Sequence, residues 1–160
     1  MTGDTSTPGG VLPPTLVVVG ASMAPTLPPG TRLRVAPLAG AAVLRPGEVL
    51  VLRSRQGLLV HRLLLPFGPG HAHVVHAGDA GGGLGVAPRE AVVGRVLGLV
   101  DSPEPLPQPP AAVRARLRGA RRRARLYVLL RACALALGGR RLAVRGRGWR
   151  DRLLGARAGS

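Results

Sequence analysis

The sequence predicts a mainly β domain followed by a C-terminal basic amphipathic α-helical tail, on three observations. Between residues 15 and 100, short Val- and Leu-rich runs are separated by Pro-Gly or Gly-rich turns, which is how strands are punctuated. No long helical pattern alternates with them, so a doubly wound parallel sheet is disfavoured. Beyond a proline-dense stretch at 101–110 the chain turns rich in arginine, with apolar residues recurring at helical spacing.

Residues 1–14 are rich in Gly, Thr, Ser and Pro and read as an extended or disordered leader. They lack the positive segment and apolar core of a secretory signal peptide. The run from Val11 to Ala21 is interrupted by Pro13 and Pro14. It is far short of the roughly 20 apolar residues of a spanning helix. Thr15–Val19 (TLVVV) is β-branched and apolar and predicts a buried strand. Further strands are expected at Leu33–Val35, Val49–Arg53, Leu58–Leu65, Val74–His76 and Val92–Val100. Arg45 and Glu48 read as solvated turn charges, and Gly81–Gly83 as a flexible loop. With one Phe, one Tyr and one Trp in 160 residues, the core has to be built from Val, Leu and Ala. Cys133, the single cysteine, cannot form an internal disulfide.

Prolines at 103, 105, 107, 109 and 110 predict a semi-rigid linker and a domain boundary. Residues 1–14, 15–100, 101–110 and 111–160 are then leader, β domain, linker and tail. The tail holds 15 arginines against Asp151, a net of +14 out of the chain's +16. At 100° per residue Val113, Leu117, Ala120, Ala124 and Val128 form one narrow stripe, with Arg114, Arg118, Arg121, Arg122, Arg123 and Arg125 off it. From Leu126 to Leu137 the helix is apolar nearly all round, broken by Arg131 and ended by Gly138-Gly139. Twelve helical residues reach only about 18 Å, against a hydrocarbon core of about 30 Å. This predicts a helix lying on an anionic membrane surface, with Trp149 at the interface. A helix packed on the β domain or on another chain is the alternative. Nucleic-acid binding is a third reading, weakened by the near absence of stacking aromatics.

The stretch that carries chemistry is GASMAPTLPPG, residues 20–30. It places Ser22 at a strand exit, with small Gly20 and Ala21 before it. Pro25, Pro28 and Pro29 after it restrict the backbone. Alone this is a proline-rich turn. It is followed, however, by GTRLRV (30–35), RPGEVLVL (45–52), LLVHRLLL (58–65), HAGDA (76–80) and VVGRVLGLV (92–100). The ordered series resembles the catalytic domain of type I signal peptidases and, more distantly, the self-cleaving repressor proteases of the same clan. The resemblance covers roughly residues 15–100. It implies a signal-peptidase-like β catalytic domain and a serine endopeptidase.

The base in that family is a lysine or a histidine. No lysine occurs in this sequence, and arginine does not deprotonate at useful pH. The position matching the base is His61, so the chain resembles the Ser-His branch. The resemblance implies Ser22 as nucleophile, His61 as general base, and the backbone N–H groups of Ser22 and Met23 as oxyanion donors. Many family members carry a hydroxyl two residues before the nucleophile, where this chain has Gly20. Histidine-type members carry a second acid after Gly-Asp, which AGGGLGVAP lacks. Either Asp79 orients His61, or a dyad suffices, or Glu90 reaches in, with Asp79 favoured.

The implied substrate is a precursor or leader peptide with small residues at the first and third positions before the cut. No metal or organic cofactor is expected. His71 and His73 would share one strand face while His76 falls on the other, a poor arrangement for three ligands. The arginine-rich flanks predict a peripheral enzyme on the cytoplasmic face of a membrane. The competing class is a catalytically inactive basic module that binds membrane or nucleic acid through residues 111–160.

Overall fold

The VLVL run at 49–52 has no polar alternation, and the computed structural model, which describes residues 12–38 and 42–136, gives the reason. Val49–Ser54 (β3) is covered on both faces, as such runs require. Val49 and Val51 join a core with Val18, Met23, Leu27, Leu33, Val35 and Val96. Leu50 and Leu52 join another with Leu44, Leu63, Val74 and Val92.

Around β3 the sheet contains Thr15–Val17 (β1), Arg32–Pro37 (β2), Gly57–Phe67 (β4), His73–Ala77 (β5), Gly85–Pro88 (β6) and Val92–Leu99 (β7). All seven strands lie in one sheet in the order β1-β2-β7-β3-β4-β5-β6, and every neighbouring pair is antiparallel. The expected mainly β architecture with a C-terminal helix is present. The expected strand at 15–19 is shorter and lies at the sheet edge, where Val17 and Val19 are exposed and Val18 is buried. An edge has solvent on one side, so a β-branched run need not be buried there. β6 was not foreseen: GVAP has a glycine and a proline, both poor strand formers.

The segment 101–110 is not a free spacer. Leu106 packs against the core around Val49 and Val51. The Pro109 carbonyl accepts a hydrogen bond from the Arg114 guanidinium at 3.1 Å. It works as a strap between the end of β7 and the helix Ala111–Ala136 (α1). That helix lies on β4 and β5: Ala120 and Ala124 enter a third core cluster with Leu64, Phe67, Val75 and Ala77. Leu117 and Val128 pack beside them, and Val113 is buried. The apolar stripe is thus covered by the sheet. Small alanines at the contact let the helix approach closely, while Arg114, Arg118, Arg122, Arg123 and Arg125 stay exposed. Among the described residues no helix is long and apolar enough to cross a membrane. Residues 1–11, read above as part of a leader, and Gly138-Gly139, Trp149 and Asp151 lie outside the described residues.

Candidate functional site

Residues 19–29 form a loop whose neck is closed by two backbone bonds, Val18 N–H to Thr31 O at 2.9 Å and Gly30 N–H to Val18 O at 2.7 Å. Gly30 has φ +88°, a left-handed value that glycine adopts readily. Met23 and Leu27, each 1 % exposed, anchor the loop in the core. Between these anchors the chain turns with Ala24 N–H bonded to Ala21 O and Leu27 N–H to Met23 O. Ser22 is half-buried beside buried Met23. A side chain at Gly20 would meet nothing within 4 Å. Among the described residues neither the Ser22 nor the Met23 amide has an acceptor.

The loop after β5 clamps this turn. Ala80 N–H donates to the Ser22 carbonyl at 2.9 Å. Gly78 comes so close that a Cβ there would sit 2.3 Å from that same oxygen, so only glycine fits without displacement. Between them stands Asp79, 1 % exposed. Both of its carboxylate oxygens accept from Arg62, Nε at 2.9 Å and NH2 at 2.7 Å. Arg62 also donates to Gly47 O at 2.8 Å. Arg116 of α1 reaches the carbonyls of Asp79 and Ala80 at 3.2 and 3.0 Å. Asp79 is therefore not hydrogen-bonded to His61. A bidentate guanidinium satisfies a buried carboxylate more completely than one imidazole N–H can. Glu90 is exposed in the 3₁₀ turn Arg89–Ala91 and does not reach in.

His61 points the other way from Arg62. In the β3–β4 register Arg62 faces Val49 and His61 faces Leu50, and adjacent strand residues alternate between faces. His61 Nδ1 lies 2.9 Å from His76 Nδ1, with ring centroids 5.1 Å apart. Its Nε2 is buried and has no hydrogen-bond partner among the described residues, so no Ser22–His61 bond is formed. The Gly78–Ala80 loop that holds the Ser22 turn begins two residues after His76, beyond Ala77. Burial holds the His61 pKa below 6.5, and the Asp79 charge pulls it partly back. Burial, with the charge of His61 second, pushes His76 down to about 4. Both imidazoles are thus neutral near pH 7, the state that can accept a proton.

Of the other histidines, His71 is exposed in the 3₁₀ turn Pro69–His71, and His73 stacks on Phe67 at 5.3 Å. His76 lies on the opposite strand face from His73, as the alternation predicts. Sequence reasoning missed the contribution of His76 and of Arg62. The available signal for His76 was a histidine inside the apolar run HVVHA, because a buried imidazole requires a polar partner. Comparison of the chain with protein-family models, with curated proteins and with solved structures gave no match.

Proposed function

We propose that this chain is a serine endopeptidase of signal-peptidase type, which cuts a precursor or leader peptide after small residues. The observation that carries the reading is the buried, unpartnered Nε2 of a neutral His61, one residue before Arg62, whose partner Asp79 lies in the loop that clamps Ser22. Ser22 Oγ attacks the scissile carbonyl as its proton passes to His61 Nε2, and the imidazolium then protonates the departing amine. Water attacks the resulting ester, with the same nitrogen as base. Proton transfer of this kind contributes roughly two to four orders of magnitude in rate. The free Ser22 and Met23 amides supply the oxyanion donors, each worth roughly a hundredfold or more. Catalytic hydrogen bonds are often long in the unliganded state and tighten around substrate. Asp79 acts through Arg62, fixing the loop on which Ser22 rests.

The site of action is an anionic membrane surface. Leu126, Leu129, Leu130 and Leu135 are exposed on the far part of α1, beside exposed arginines. Exposed leucines among cations suit headgroups and the upper acyl region. The same features support the second reading, a basic module without catalysis that binds membrane or nucleic acid.

The test is cleavage of a peptide series with an Ala-x-Ala site in the presence of anionic vesicles, comparing the intact protein with Ser22→Ala and His61→Ala. Cleavage abolished in both variants is the expected result. Cleavage unchanged in either variant overturns the Ser-His mechanism, whereas no cleavage by the intact protein while it binds vesicles or DNA favours the binding module.

A further inference from the structure

We propose that His76 is the positioning residue for His61: seated in a slot that Gly85 leaves open, it accepts a hydrogen bond from His61 Nδ1–H and leaves the buried Nε2 with a free lone pair as the base. This rests on the Ser-His reading and puts His76 in the orienting role of an acid, since among the described residues no carboxylate is hydrogen-bonded to His61.

The proton assignment follows from three contacts. Two nitrogens 2.9 Å apart cannot both present lone pairs, so one of them carries the hydrogen. If His76 donated, a neutral His61 would carry its own hydrogen on Nε2, which is buried without a partner. Buried N–H groups without an acceptor are the rarest kind of unsatisfied group. If His61 donates, its Nε2 holds a lone pair instead, and the second hydrogen sits on His76 Nε2, which is not buried without a partner. The hydrogen bond made by one ring nitrogen selects the tautomer of the other.

The slot is the independent observation. His76 is 6 % exposed and pairs across the sheet with Gly85 of β6. A Cβ on Gly85 would fall 2.1 Å from His76 Cε1 and 2.5 Å from Nε2, so the ring occupies the volume of the missing side chain. The φ of Gly85 is not left-handed; what requires glycine there is this ring. Asp79 is the charged neighbour that acts on His61, and it is bound to Arg62.

The experiment uses the full chain labelled with ¹⁵N-histidine. Long-range ¹⁵N–¹H spectra at neutral pH report which nitrogen of His61 is protonated. The expected state is Nδ1–H in the intact protein and in Asp79→Asn, and loss of that preference in His76→Leu. Gly85→Ala, which displaces the ring while keeping both histidines in the sequence, gives the same loss if His76→Leu does not fold. In His76→Asp an oxygen stands the same number of bonds from Cα as Nδ1, and the Nδ1–H state returns. Cleavage falls about ten- to a hundredfold in His76→Leu, the scale of losing a buried hydrogen bond. The loss lies in kcat rather than KM, and His76→Asp recovers part of it. An Nε2–H tautomer in the intact protein, or one indifferent to His76→Leu and Gly85→Ala, overturns the proposal. If His76 controls the tautomer but Ser22→Ala cleaves like the intact protein, the peptidase reading fails and the hydrogen bond alone survives.

Discussion

Replacing Asp79 by asparagine tests whether this acid is structural. Its side chain is fully buried, the Arg62 side chain is 12 % exposed, and two bonds of 2.9 and 2.7 Å join them. Asparagine keeps the shape but offers one acceptor instead of two and no charge. Arg62 then keeps its bond to Gly47 O and is left as a cation in a poorly hydrated site. Breaking a buried pair from one side costs about 3–5 kcal/mol. Because Arg62 retains some solvent contact, the lower end is expected, about 3 kcal/mol. Urea unfolding followed by far-UV circular dichroism measures this directly, with Arg62→Gln and the double variant completing a cycle. The double variant should lose about 2 kcal/mol less than the two single losses added, because each strands its partner. A loss under about 1 kcal/mol for Asp79→Asn, or strict additivity, would refute the claim that the carboxylate is held by Arg62.

Three further outcomes follow from the same geometry. Gly78→Ala drives a Cβ into the Ser22 carbonyl. It should break the Ala80–Ser22 bond and cut peptide cleavage at least about tenfold while the fold persists, as read by kinetics beside circular dichroism. Unfolded His76 takes a proton near pH 6.5 and folded His76 only at about 4. Between these values the unfolded state binds more protons, so the contribution is complete above pH 6.5 and lost as pH falls to 4. Urea titrations should show about 3 kcal/mol of that loss in the intact protein and its absence in His76→Leu. Ala124→Arg places a charge at a position with no exposure, between α1 and the sheet. It should cost about 3 kcal/mol or more and speed trypsin cleavage within α1, whereas Arg125→Ala on the exposed face should change stability by under about 0.5 kcal/mol.

Period and punctuation made most of the architecture legible in the chain itself. The VLVL run, the Pro-Gly turns and the stripe of Val113, Leu117, Ala120 and Ala124 each state a local preference that the folded state honours. The histidine alternation in HVVHA was readable for the same reason, since a strand's side-chain direction is set by a period of two. Ser22 and His61 could be singled out only because an ordered series of short motifs resembles a known catalytic domain. Tertiary structure decided what covers the helix stripe, which is the sheet. It made a strap of the proline segment through Leu106. It also chose the partners of the site: Asp79 was taken by Arg62, the residue next to His61 but on the other strand face, and His61 was left with His76. These choices depend on register and on empty volume, above all the Cβ missing at Gly85. Such quantities arise only when strands far apart in sequence are brought side by side.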